Sequence, residues 1–280
     1  MSYSDYKTLQ CTVDDGVATV TLNYPPINLL DDALSADLDR LGQELEADDA
    51  VRAVVVQSAI PEFFIAHSGL KRVGQAPKMV SNMRTMRHTQ QIAERFRCMP
   101  KVTIAKVEGR ARGGGCEIVL AMDMCFAAEG KAWFGQPEVG VGLVPGGGNT
   151  QRLPRLIGRA RALEVILTCD DFTAKQAADY GFINRALPAD ELGPFVDGLA
   201  RRMADFPAHT IRHAKNAVDA ATFSSFDEGL LCEAHESDLS LANDVSQKRV
   251  AEYLEIGGET FDAELDTDKL IEKLNQLGPK

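Results

Sequence analysis

Three segments of the chain combine residue types that could do chemistry. The first is Glu108-Gly-Arg-Ala-Arg-Gly113-Gly-Gly-Cys-Glu117. It lies between an apolar β-branched run and a helical pattern. Its three glycines permit close backbone approach, and amides at a helix N-terminus present partial positive charge, which suits an anion or a developing oxyanion. The same glycines also suit a tight strand-to-helix turn with no ligand. No Gly-Lys-Ser/Thr follows, so the segment is not a Walker loop. The second segment is Phe134-Gly-Gln-Pro-Glu138, which leads into Val139-Gly-Val-Gly-Leu-Val-Pro-Gly146-Gly-Gly-Asn149. A carboxyl among apolar and glycine-rich neighbours loses water, which raises its pKa toward the range useful for proton transfer; in a surface turn it is merely solvated. The third, Phe63-Phe-Ile-Ala-His-Ser68-Gly-Leu-Lys71, carries small residues that leave a main-chain amide free to face a cleft.

Alternating strand and helix patterns must position these segments. Leu9, Cys11 and Val13, the turn Asp14-Asp15-Gly16, and Val17, Val20 and Leu22 spell a β-hairpin. Asp31 or Asp32 can cap a helix with Leu34, Leu38, Leu41 and Leu45 on one stripe. Val51 to Gln57 suits a strand buried on both faces. The spacing then predicts a helix over Lys78 to Met99, a strand over Val102 to Val107, a helix opening at Gly113-Gly-Gly115 and a short strand over Met124 to Ala127, which together argue for stacked βα units. Thr173-x-x-Gln176 and Ser225-x-x-Glu228 match the capping box. After about Asp190 the strand signal ends. Leu192, Phe195, Val196, Leu199 and Met203 mark an amphipathic helix, and further helices are expected over 207–220, 225–241 and 244–255, with an added one over Asp266 to Leu277 carrying Leu270, Ile271 and Leu274. The expected organisation is an α/β core over 1-190 and a helical C-terminal region over 191-280.

Composition narrows the function. Acidic residues outnumber basic ones, 41 to 30, for a formal charge of -11, so the long-range field repels nucleic acid and anionic membranes. No apolar run reaches the ~18–20 residues that span a bilayer. The six cysteines are scattered without a C-x-x-C pair, and Met1 to Asp14 shows no secretory or transit pattern, so reduced thiols in the cytoplasm are expected. His209 and His213 form a helical i, i+4 pair, but Pro207, Arg212 and Lys215 around them suggest a solvated first turn, and no metal is expected. Gly146-Gly-Gly-Asn149 lacks the context of a dinucleotide fingerprint.

Taken together, the three segments resemble the crotonase (enoyl-CoA hydratase/isomerase) superfamily, over about Val13 to Asp190 and in the expected order. The stretch from Gly113-Gly-Gly-Cys-Glu117 through Gly135-Gln-Pro-Glu138 to Pro145-Gly-Gly-Gly-Asn-Thr-Gln-Arg-Leu153 carries most of the likeness, and Thr168 to Pro188 resembles the helix-turn-strand that follows. The resemblance implies a spiral of ββα units with a C-terminal all-helical oligomerisation region, and a homotrimer or dimer of trimers. It also implies an acyl-CoA substrate, with coenzyme A as part of that substrate and no separate cofactor. Backbone amides of Ser68 and Gly114 match the oxyanion hole, and Glu117 and Glu138 match the base and acid of the hydratases. Ile27, Ala66, His67, Leu70, Lys71, Gly115, Gln136, Pro137 and Gly146 match substrate-contacting positions. The presence of both glutamates favours hydration of a 2-enoyl thioester. The alternatives are an enoyl-CoA isomerase or acyl-CoA hydrolase on the same scaffold, or a non-catalytic acyl-CoA-binding protein.

Two departures stand out. The family's Ala-Gly-x-Asp reads Ala66-His67-Ser68-Gly69 here. Histidine tolerates positive φ better than most residues, so a turn at His67 is expected to survive; the ring is either a structural histidine or a pH-responsive contact. In the tail, the family's basic stretch is replaced by Tyr253-Leu-Glu-Ile-Gly-Gly-Glu259, so contacts to the coenzyme A phosphates are expected from Lys71, Arg72 or a neighbouring subunit.

Overall fold

A computed structural model describes residues 3–71 and 85–277. The chain forms two compact units, Met1–Arg201 and Arg202–Lys280. In the first, strands β1 (Leu9–Asp14) and β2 (Val17–Leu22) make the expected antiparallel hairpin, and β3 (Ala53–Ser58) pairs parallel with β2. Strands β5 (Val102–Val107), β7 (Met124–Ala128) and β10 (Arg185–Leu187) then add in parallel, giving the order β1-β2-β3-β5-β7-β10. Ala53 to Val56 are all buried, as a strand covered on both faces requires.

A second, smaller sheet has the order β4-β6-β8-β9. It is built from β4 (Phe63–Ile65), β6 (Arg110–Arg112), β8 (Trp133–Gly135) and β9 (Phe172–Thr173). Each of β3, β5 and β7 is followed, a few residues later, by one strand of this sheet, so the chain lays down two sheets in step as it advances. The crossing is tight at Gly109, where a Cβ would sit 2.6 Å from the Glu62 carbonyl carbon and the Phe63 nitrogen; only glycine fits there.

Helices cover the sheets where the apolar stripes predicted them. In α1 (Asp32–Ala47), Asp31 Oδ1 accepts from the amides of Ala33 (2.9 Å) and Leu34 (3.2 Å). Leu34, Leu38, Leu41 and Leu45 are buried, each worth ~1.5–3 kcal/mol of transfer free energy. Of the helix expected over Lys78 to Met99, the described residues form only α2 (His88–Cys98): residues 85–87 are not helical, with the chain extended at Arg87 where the helix is capped, and residues 78–84, like Arg72, lie outside the described residues. Helix α3 (Gly114–Val119) starts at the triple glycine, α4 (Asn149–Thr168) follows the second glycine run, and α5 (Ala174–Tyr180) carries the Thr173/Gln176 capping box. The last helix begun in this unit is α6 (Ala189–Ala204), with Leu192, Val196 and Ala200 buried.

In the unit Arg202–Lys280 the helices are α7 (Ala208–Phe223), α8 (Phe226–Leu241), α9 (Asp244–Glu255), α10 (Phe261–Glu264) and α11 (Thr267–Leu277). Ser225 and Glu228 form the expected capping box. The His209/His213 pair departs from the expected solvated turn. His213 is buried, with Nδ1 at 2.6 Å from Glu236 Oε2, and His209 Nε2 lies 2.8 Å from Ser246 Oγ. The solvated reading fails because α8 and α9 supply polar partners that no local spacing reveals. Leu270 and Leu274 of α11 are buried within the chain itself, and the helix packs on α9.

Candidate active site

Strands β4, β6 and β8 are parallel neighbours, so their C-terminal ends emerge along one edge of the small sheet. Ala66–Ser68 follows β4, Gly113–Glu117 follows β6, and Gln136–Glu138 follows β8. The three segments singled out in the sequence are therefore delivered side by side. The Gly113 amide donates to the Gly135 carbonyl at 2.9 Å and stitches the glycine-rich segment ending at Glu117 to the one that carries Glu138.

The direction of the Ser68 amide follows from a single parallel bridge between Leu30 and Ser68. Leu30 N–H donates to His67 O (3.0 Å), and Gly69 N–H donates to Leu30 O (3.0 Å). In an extended chain successive N–H groups point to opposite sides, so Ser68 N–H faces away from Leu30. Gly114 packs against this bridge: a Cβ added to it would collide with Ser68 Oγ and come within 2.9 Å of Leu30 Cδ2. Among the described residues neither the Ser68 nor the Gly114 amide has an acceptor. Gly114 owes its free amide to its place in the first turn of a helix. These are two main-chain donors without acceptors, one held by sheet pairing and one by a helix start.

The two glutamates flank the same glycines in different surroundings. Glu117 is 5% exposed, and its Oε1 accepts from the amides of Gly147 (2.6 Å) and Asn149 (3.4 Å). Burial raises its pKa, and the amides of Gly147, Asn149 and Gly148 and the charge of Arg152 oppose that rise. Arg152 also fastens the loop, donating to Gly147 O at 3.0 Å and pairing with Glu94. Glu138 is half-buried; its Oε1 lies 2.6 Å from where a Gly113 Cβ would be, and its Oε2 is buried without a partner among the described residues. Burial pushes the Glu138 carboxyl up to about 7, and the nearby Glu117 adds to the rise. One carboxylate is thus solvated by backbone amides, while the other stays protonated to near neutrality.

The remaining positions fall into two groups. Ala66 is buried, with its amide bonded to Ile27 O (3.1 Å), and Gly115 packs so closely on Ile65 that a Cβ would meet its carbonyl oxygen at 2.5 Å. Gln136 is fully buried and donates weakly to Gly113 O at 3.4 Å, Pro137 is half-buried, and Gly146 precedes the glycine that holds Glu117. Leu70 and Lys71 are exposed. His67 corrects one expectation: it does not adopt positive φ, because the chain passes through it extended to make the bridge at Ser68. Its Nδ1 lies 2.8 Å from Ser68 O, which fixes the proton on Nδ1, since a carbonyl only accepts. Sequence reasoning missed Gly147, Asn149 and Arg152 as the support of Glu117. The glycine run was legible as a close approach, but not which group approached.

The family description "Enoyl-CoA hydratase/isomerase" matches residues 12–264 of this chain. A crotonyl-CoA hydratase of Syntrophomonas wolfei is 34% identical over 219 residues, 75% of this chain and 84% of that protein. A solved Streptomyces avermitilis structure, assigned as an enoyl-CoA hydratase, is 40% identical with a TM-score of 0.71, covering 97% of this chain and 100% of that one. An enoyl-CoA hydratase structure from Geobacillus kaustophilus is 26% identical with a TM-score of 0.83, covering 90% and 95%. Paired sheets of this topology, with two free amides and two carboxyls at one strand edge, define an acyl-thioester enzyme scaffold, and the chain belongs to the enoyl-CoA hydratase/isomerase family.

Proposed function

We propose that this protein hydrates a 2-enoyl thioester of coenzyme A. The observation that carries the reading is the pair of carboxyls in unlike surroundings, Glu117 on main-chain donors and Glu138 with a buried oxygen lacking a partner among the described residues, beside two unpaired amides. The thioester oxygen docks on the Ser68 and Gly114 amides. Glu117, whose Oε1 accepts from the amides of Gly147 and Asn149, takes a proton from water as the water oxygen bonds to C3. The electron pair of the C2=C3 bond moves onto the thioester as an enolate, and each amide aimed at that oxygen is worth ~2.7–4 kcal/mol. Glu138, protonated, delivers a proton to C2. One water is consumed, and the product is the 3-hydroxyacyl thioester.

Loss of enoyl-thioester absorbance with purified protein and a 2-enoyl-CoA, crotonyl-CoA and glutaconyl-CoA in turn, tests the reading; intact absorbance with both at micromolar enzyme would sink it. The protein acts in the cytoplasm as a trimer or a dimer of trimers. Supporting assembly, Phe226 and Phe261 in the helical unit are about four-fifths exposed, and Leu231 about three-quarters. A monomer by light scattering would remove that part.

A further inference from the structure

We propose that Arg87 is a specificity-determining residue that receives a carboxylate on the acyl group, so that the substrate is the monothioester of an unsaturated dicarboxylic acid; this rests on the hydratase reading above. The guanidinium lies on the glycine loop that holds the base. Arg87 Nη1 is 2.9 Å from where a Gly146 Cβ would be, and the next residue, Gly147, donates its amide to Glu117 at 2.6 Å. Gly146 makes the room: any side chain there would displace the guanidinium.

Charge accounting sets Arg87 apart. Neighbouring arginines have acidic partners: Arg95 pairs with Asp39 and Glu46, and Arg97 and Arg152 share Glu94. Arg87 is exposed and, among the described residues, has no ion pair, in a chain where 41 acidic residues outnumber 30 basic ones. An exposed guanidinium without an ion pair, beside the loop that holds Glu117, offers a planar fork matched to a carboxylate. The direction of the substrate decides which carboxylate. With the thioester oxygen on the Ser68 and Gly114 amides and C3 beside Glu117, the acyl group beyond C3 heads for the Gly146–Gly147 loop. Lys71, three residues past Ser68, is an exposed cation on the segment that carries the Ser68 amide, whereas Arg87 stands on the loop that holds Glu117.

The test compares glutaconyl-CoA, whose carboxylate sits one carbon beyond C4, with methyl-ended crotonyl-CoA. The expected ratio of kcat/KM favours glutaconyl-CoA by at least about tenfold, and Arg87→Gln lowers that ratio about 10- to 100-fold, the usual weight of hydrogen bonds to a charged group. Arg87→Lys retains part of the preference. A ratio at or below one in the native protein overturns the proposal. So does an equal loss on both substrates in Arg87→Gln, which assigns Arg87 to the coenzyme A portion. If neither thioester is hydrated, the hydratase reading fails, and calorimetry with the saturated glutaryl-CoA and butyryl-CoA still reads Arg87. Tighter binding of glutaryl-CoA that Arg87→Gln abolishes supports the carboxylate site, and equal affinities overturn it.

Discussion

Glu117 and Glu138 sit at the ends of neighbouring strands of one sheet, yet their surroundings are opposite. Glu117 projects from the first turn of α3 into a loop whose amides converge on one oxygen. Glu138 starts a single 3-10 turn, Val139–Val141, and keeps a buried oxygen with no partner. Burial alone raises both carboxyls, so burial does not separate an acid from a base. What separates them is the supply of main-chain hydrogen bonds to the ionised form, generous for Glu117 and absent from Glu138 Oε2.

The largest effects should come from deleting either partner. Glu117→Gln and Glu138→Gln are each expected to lower turnover by about 10²–10⁴ with the fold retained, read by enoyl-thioester absorbance alongside circular dichroism. If one variant keeps native turnover, the two roles collapse into one. Next is Gly147→Ala, whose new Cβ would lie 2.5 Å from Glu117 Oε2 and 2.8 Å from its Cδ. Moving the base by such a clash should cost on the order of 10²-fold in kcat. Activity within threefold of native would mean that the amides of this loop do not position Glu117.

The pH dependence sharpens the contrast. Glu138, pushed up to about 7, must be protonated to act as the acid. The kcat/KM profile should therefore fall on its alkaline side with a midpoint near 7, to about a tenth by pH 8, and a flat profile from pH 6 to 9 would remove Glu138 from the acid role. The same shift sets a stability trend. Between the ordinary 4.5 and about 7 the native state holds a proton that the unfolded state has released, so stability falls as pH rises through this window. Glu138→Gln abolishes that dependence, and its melting temperature should exceed the native one at pH 8, with the gap closing by pH 4. The smallest effect is expected for Ser68→Ala, within about threefold of native kcat, because the donor is the main chain.

How much of this was legible in the sequence depended on element length. Leu34, Leu38, Leu41 and Leu45 span enough turns to announce their helix, and the run at Val54–Val56 announces a covered strand. The small sheet was silent: strands as short as Phe63–Ile65 and Phe172–Thr173 hold too few residues to show a period of two. Yet that sheet brings the candidate site together. The resemblance supplied the residues, while the registers β4-β6-β8 supply the reason they meet. Support from a distance was not legible either, since Arg152 acts through Glu94 of another helix and Arg87 through a glycine far along the chain.

The bridge between Leu30 and Ser68 carries one more consequence. On this reading the thioester carbonyl occupies the place that a neighbouring strand would take at the edge of a sheet, and the enzyme recognises its substrate as one peptide recognises another. No rotamer at position 68 can tune such a contact, because every amino acid but proline offers the same N–H. Adjusting the grip on the thioester therefore requires sliding the Leu30 segment along its partner, a change of alignment rather than of identity.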